Sequence, residues 1–398
     1  MIVVGAMLQF TVTQKLPCTL EGELCPALAA LAARLRRTAE RIVAGPRWKA
    51  KFVLLVLAFS LLRAFPNYNF LREAGNQATW RDAAIKVQDP TVDMGRRFPP
   101  ASHEAKLNCR LTVPVVAHTL HLGRDGMLAL FALCGVVTLY LTLDLSFRIT
   151  QNRIAAAAVC LGVACVWPGV LAFHQLLGGF YDAVGLCLVL SAMWAPAPLA
   201  AIGLLAAAWT DERALLAGLL VMVYAGLRRE PGRLIAIIAG GAAYGATRFW
   251  FSNVYSLHTP MEGVGPAIFL KEFHMAPLGI WTGLGGCWLI VTGGLWVLVA
   301  RRRFAAGLAF GLALCAVIGT ALMVEDVTRS MAYTLPAVFV ALTALVETEP
   351  PAVIERLAAA SALICALVPT YFTQSGNATW LLPAVFQAIR LALYPRLG

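Results

Sequence analysis

Long apolar runs recur along this chain, divided by polar turns of two alternating kinds. One kind carries bare arginine: Arg148 and Arg153, Arg228-Arg229, and Arg301-Arg302-Arg303. The other is chemically mixed: Asp182, Asp211-Glu212, the stretch from His258 to His274, and Glu325-Asp326-Arg329. A bilayer accounts for the alternation, because cytoplasmic flanks of membrane helices collect Lys and Arg. One face of the molecule then reads as an anchor and the other as a working surface.

The runs predict helices near residues 52–65, 128–147, 154–173, 181–194, 198–209, 214–227, 234–249, 277–300, 304–324, 331–346, 354–371 and 381–394. Since a crossing needs about 20 mainly apolar residues, the expected fold is an all-α polytopic membrane protein of about 11–13 membrane helices. Several of these runs are shorter than a crossing, as broken or tilted helices around a cavity would be. Residues 67–108 form the longest polar stretch. Its spacing of Leu71, Ala74 and Ala78, then Trp80, Ala84 and Ile85, predicts short helices at the outer interface.

The segment 107–122 is apolar but short and holds Arg110, Pro114, His118 and His121. If it crossed, the later arginine turns would lie opposite the basic tract Arg47, Lys49 and Lys51. If it only dips in, all the basic turns share one side. The positive-inside rule favours the second arrangement.

Composition strengthens the membrane reading. The 398 residues are 60% hydrophobic and only 13% charged, with a mean hydropathy of +0.74. Soluble domains run at roughly 45–50% apolar and about 25% charged. The net charge of +11 does not point to nucleic acid, because the basic residues sit in short tracts beside apolar runs, as cytoplasmic flanks near anionic lipid do. The ten cysteines include no CxxC and lie mostly within apolar runs, so they read as small buried hydrophobes. Residues 1–13 lack a basic n-region and a small-residue cleavage pattern, so they are read as retained. The organisation expected is a cytoplasmic segment over residues 1–50 with an amphipathic helix (Arg34, Arg36, Arg37, Arg41), then one transmembrane domain over 51–398. The membrane expected is a bacterial inner (plasma) membrane, with the N-terminus cytoplasmic.

The mixed turns hold the candidate chemistry. Asp182 stands at the mouth of a run, where an ionisable group needs a cavity or a partner; a helix N-terminal acid is the plainer reading. In Thr210-Asp211-Glu212-Arg213, two acids and an arginine share a tight turn. The acids suit a divalent ion or sugar hydroxyls and Arg213 a phosphate, while an N-terminal cap accounts for them equally well. His258, Glu262, Lys271, Glu272 and His274 lie in a loop long enough to act as a lid, and the two histidines are too far apart in sequence to argue for a metal. In Glu325-Asp326-Val327-Thr328-Arg329, an arginine held by carboxylates suits a lipid-borne phosphate or a local salt bridge. Arg110 is a second phosphate candidate, since burying it without an anionic partner is costly.

This arrangement resembles the GT-C superfamily of membrane glycosyltransferases, in its polyprenyl-phosphate-sugar-dependent, mannosyltransferase-like branch. Four features carry the resemblance: the first span leading into a long outer loop; Asn108-Cys109-Arg110-Leu111-Thr112-Val113-Pro114; Gly179-Phe180-Tyr181-Asp182; and Asp326-Val327-Thr328-Arg329-Ser330 followed by Pro336. The family usually places an acid pair just after its first span. Here that neighbourhood reads Asn69-Phe70-Leu71-Arg72-Glu73, with Asp82 further on.

The resemblance implies sugar transfer with inversion from a polyprenyl-phosphate carrier to a lipid-linked or small acceptor on the extracytoplasmic side. Glu73, Asp82 or Asp182 would act as base. Arg110 and Arg329 would hold the phosphate, with Asp211, Glu212, Asp326 and His258 completing the site. No resident cofactor is implied beyond a divalent ion at the acid pair. The implied partners are membrane lipids and the lipid-linked sugar. A transporter or flippase of such substrates, and a non-catalytic membrane subunit, are the competing readings.

Overall fold

The computed structural model describes residues 24–63, 74–99, 102, 104–171, 181–258, 264–374 and 376–380. The chain divides into two compact units, 1–48 and 49–398. In the first, Leu24–Ile42 is a helix whose exposed Arg36 pairs with Glu40 one turn on, at 3.1 Å.

The second unit is an all-α polytopic membrane bundle. Among the described residues, five helices are long and apolar enough to cross a bilayer: Arg124–Thr150, Pro231–Tyr255, Pro266–Ala300, Phe304–Leu322 and Val327–Val346. Four shorter apolar helices, Arg153–Ala164, Asp182–Trp194, Ala197–Thr210 and Arg213–Leu227, pack among them. The expected runs 52–65 and 354–371 are helical as well, over Trp48–Arg63 and Pro351–Leu367. Run 381–394 lies outside the described residues.

Val327–Val346 is the central helix: 94% of its apolar window is covered by protein. By contrast Pro231–Tyr255 and Phe304–Leu322 leave leucines, isoleucines and aromatics on the outside, among them Ile235, Phe249, Leu308 and Leu312. Exposed apolar side chains of this kind are what lipid-facing helices present. Helices come closest where glycine removes the side chain. A Cβ on Gly240 would stand 2.6 Å from the Ala201 carbonyl oxygen, and one on Gly294 2.5 Å from Ala341 Cα.

Thr112–Thr119 is a helix of eight residues, rising only about 12 Å against a hydrocarbon core of about 30 Å. It cannot cross. Thr112 Oγ1 donates to the Ala206 carbonyl at 2.6 Å and the His118 ring bonds the Val87 carbonyl at 2.9 Å, fixing the segment to the end of Ala197–Thr210 and to the loop helix Ala74–Gln88. The arginine turns consequently gather at one end of the bundle. There Asp144 joins Lys49, Arg148 (2.6 Å) and the Trp194 indole N–H (2.7 Å), and Arg233 donates to the carbonyls of Ala192 and Met193.

The last described element was not foreseen. Tyr371–Gln374 (β1) and Asn377–Trp380 (β2) pair antiparallel, turning at Gly376 with φ +74°. Residues 371–374 and 379–380 are largely β-branched or aromatic, which suits a strand.

Candidate functional site

At the end opposite the arginine turns, an ionic cluster is assembled from four segments far apart in sequence. Asp182, fully buried at the start of Asp182–Trp194, accepts from Arg213 Nη2 at 2.9 Å and from Arg329 Nε at 2.8 Å, one on each carboxylate oxygen. Arg329 Nη1 also donates to Asp326 at 2.8 Å. Asp211, in the turn before Arg213–Leu227, accepts from Arg213 Nε at 2.7 Å and Nη2 at 2.5 Å. Arg110 Nη2 lies 3.4 Å from the same Asp211 carboxylate. Arg213 is therefore the hub. Its third edge donates to Ser330 Oγ at 2.5 Å, and its guanidinium stands 5.2 Å from the centre of the Tyr333 ring.

Local structure places each member. Ala197–Thr210 ends as Asp211 turns to extended backbone, which sends the carboxylate inward over the first turn of the next helix. Asp211 Oδ1 also accepts the Arg213 backbone N–H at 3.0 Å, closing an Asx-type turn. The start of the central helix is pinned by hydroxyls: Thr328 Oγ1 bonds Thr282 Oγ1 (3.1 Å) and Thr373 Oγ1 (2.7 Å), and accepts the Thr373 backbone N–H (3.0 Å). The β hairpin thus fixes the residue next to Arg329. Arg110 follows a short 3-10 turn, Ala105–Cys109, anchored by buried Asn108, which bonds the Met94 N–H, Asp93 and the His258 carbonyl at 2.9–3.1 Å.

Burial alone would raise the Asp211 carboxyl. Arg213 and Arg110 outweigh it and hold the group well below the usual carboxylate range. The Tyr181 hydroxyl is pushed the other way by burial, with Arg110 opposing. Among the described residues, buried Asp326 Oδ1, Tyr181 Oη and Tyr333 Oη find no hydrogen-bond partner. Buried polar atoms of this kind ordinarily find a protein group, a ligand or water.

Of the residues singled out from sequence, Arg110, Asp182, Asp211, Asp326 and Arg329 come together. Glu212 turns away, exposed, to Arg248 at 3.0 Å, so Asp211 and Glu212 do not act as a pair toward one ion. Among the described residues no three His, Cys, Asp or Glu side chains converge as a metal site. His258 is exposed, and its contribution is the backbone carbonyl that Asn108 holds. Asp82, half-buried on Ala74–Gln88, has Glu104 and Arg81 as charged neighbours and none of the cluster; burial and Glu104 raise its carboxyl and Arg81 lowers it. Glu73, Gly179-Phe180 and Glu262 lie outside the described residues.

Ser330, Tyr333 and Asn108 have no role assignable from the sequence, and Arg213, expected there as a phosphate ligand, is the hub of the cluster. Arg213 had a local signal, two acids immediately before it. The others had none. Comparison with family models, curated proteins and solved structures finds no match for this chain.

Proposed function

We propose that this protein is a membrane-embedded glycosyltransferase that takes a sugar from a polyprenyl-phosphate carrier and passes it to a lipid-linked or small acceptor. The observation behind this reading is the convergence of Arg110, Arg213 and Arg329 on two buried aspartates at one end of an apolar bundle. A carrier phosphate enters from the bilayer and needs positive charge at the depth where the cluster lies. Arginines already oriented by carboxylates can stabilise a departing phosphate without reorganising. With the arginine turns cytoplasmic, the site faces the extracytoplasmic side and the N-terminus lies inside.

Both Asp182 oxygens accept from arginine, so Asp182 orients the guanidinium groups, and Glu73 or Asp82 remains the candidate base, Asp82 having to reach the cluster from the loop helix. In the transfer, the base takes the proton of the acceptor hydroxyl. The acceptor oxygen attacks the anomeric carbon, and the bond to the carrier phosphate breaks on the opposite face. The cluster as it stands sets three guanidinium groups against three carboxylates. Arg110, 3.4 Å from Asp211, is the group assigned to the phosphate.

That charge balance also favours a second reading, a structural cluster in a non-catalytic membrane subunit. Photo-crosslinking to a polyprenyl-phosphate analogue in native membranes separates the two. Labelling should fall about tenfold or more in Arg110→Ala, the scale of one lost charge-assisted hydrogen bond, with protein level unchanged. Asp82→Asn or Glu73→Gln should keep the labelling and stop transfer. Equal labelling of wild type and Arg110→Ala, at equal protein level, removes the transferase reading.

A further inference from the structure

An apolar cleft runs between Arg213–Leu227 and Phe304–Leu322 on the face that meets lipid. Its volume is about 500 Å³, and its walls include Leu219, Met222, Val223, Ala309 and Leu312. Small-ligand sites occupy roughly 300–1,000 Å³. At its mouth the lining passes through Gly226, Leu227 and Leu234 to Arg303, between the turns 228–233 and 301–303. Those turns carry Arg228, Arg229, Arg233, Arg301, Arg302 and Arg303. The acids bound to them are Glu230, on Arg228 and Arg233, and Glu347, on Arg303. Among the described residues, the six arginines of these turns thus meet two bound glutamates; Arg303 lines the cleft, and Arg229, Arg301 and Arg302 are exposed. An anionic headgroup gains more from such an excess than a zwitterionic one does.

We propose that this cleft holds one anionic diacyl phospholipid, with an acyl chain between the two helices and its phosphate against the arginines at the mouth. Basic pockets between membrane helices select anionic headgroups in this way. The occupant lies at the end opposite the ionic cluster, so the proposal is independent of any transferase activity.

The test uses the full chain, purified in detergent, delipidated, and offered equal amounts of phosphatidylglycerol and phosphatidylcholine, with retained lipid read by native mass spectrometry. Wild type should retain one phosphatidylglycerol with a preference of about tenfold. Ala309→Trp fills the cleft while leaving every arginine in place and should lower that retention about tenfold. The double variant Arg229→Gln/Arg302→Gln should bind both lipids alike. Phosphatidylglycerol carrying a chain-end diazirine should crosslink wild type at Met222 or Ala309, a readout that needs no variant to fold. Equal retention of the two lipids by wild type, full retention by Ala309→Trp, or crosslinks only outside the cleft would overturn the proposal.

Discussion

Arg329 Nε donates to Asp182 at 2.8 Å across 147 residues of sequence, joining the start of the central helix to the start of Asp182–Trp194. Both side chains are almost wholly shielded. A pair of this kind contributes little net stability against a well-packed apolar alternative, yet breaking it from one side leaves an uncompensated buried charge.

Asp182→Ala should therefore be among the most destabilising single changes in the bundle, at roughly 3–5 kcal/mol. Arg124→Ala, which removes an exposed pair with Asp125, should cost about 1 kcal/mol or less. Thermal unfolding in detergent compares the two. Arg329→Lys keeps the charge but loses the planar fork that reaches Asp182 and Asp326 together, and should fall between them. Similar midpoints for Asp182→Ala and Arg124→Ala would mean that the cluster is open to water.

Lys86 gives the outer loop a pH dependence. Its ammonium is buried and donates to the Val92 carbonyl at 2.8 Å; burial lowers its pKa to about 8, with Cys109, Asp89 and Asp93 opposing. The unfolded chain keeps this proton up to its ordinary value of 10.5. Between those limits the unfolded state binds more protons, so stability should rise as pH climbs from about 8 toward 10.5. Lys86→Met should remove the rise from the unfolding midpoint measured against pH. A wild-type curve that falls over this window would place the lysine in water.

The alternation of basic and mixed turns was legible because a bilayer imposes it on sequence directly. Arg110, Asp182, Asp211, Asp326 and Arg329 were legible as costly charges at the ends of apolar runs. Their pairing was not, since apart from Asp211 the partners of Arg213 lie 31 and 117 residues away and only tertiary packing selects them. The glycines show the same limit. The spacings Gly241…Gly245 and Gly307…Gly311 do not mark close contact: among the described residues, Gly241, Gly245 and Gly311 have no neighbour within 4 Å of a Cβ. Tight approaches fall instead at glycines such as Gly240, Gly286 and Gly294, which a rotation of the helix face decides and a four-residue spacing does not.

That difference sets opposite signs for two conservative changes. Gly294→Ala drives a methyl against Ala341, 2.5 Å away, and should destabilise by roughly 1–3 kcal/mol as overpacking does. Gly241→Ala meets nothing and should gain up to about 1 kcal/mol from helix propensity. Unfolding midpoints of the two variants should bracket wild type. The reverse order would mean that the two faces are exchanged.

Sidedness follows from the eight residues of Thr112–Thr119, too few to cross, and from the arginine turns that consequently share one end. With the native cysteines replaced, single cysteines at Glu212 and His258 should react with an impermeant maleimide on intact cells. Cysteines at Arg229 and Arg302 should react only after permeabilisation. Reporter fusions made after Leu107 and after Leu122 should report the same side, because the intervening helix rises about 12 Å and the hydrocarbon core is about 30 Å thick. Opposite sides for the two fusions would mean that the segment crosses in an extended form. Every later turn would then change face, and labelling at Arg302 with protection at Glu212 would follow. The ionic cluster would in that case open to the cytoplasm, where its arginines could not meet a carrier arriving on the other leaflet.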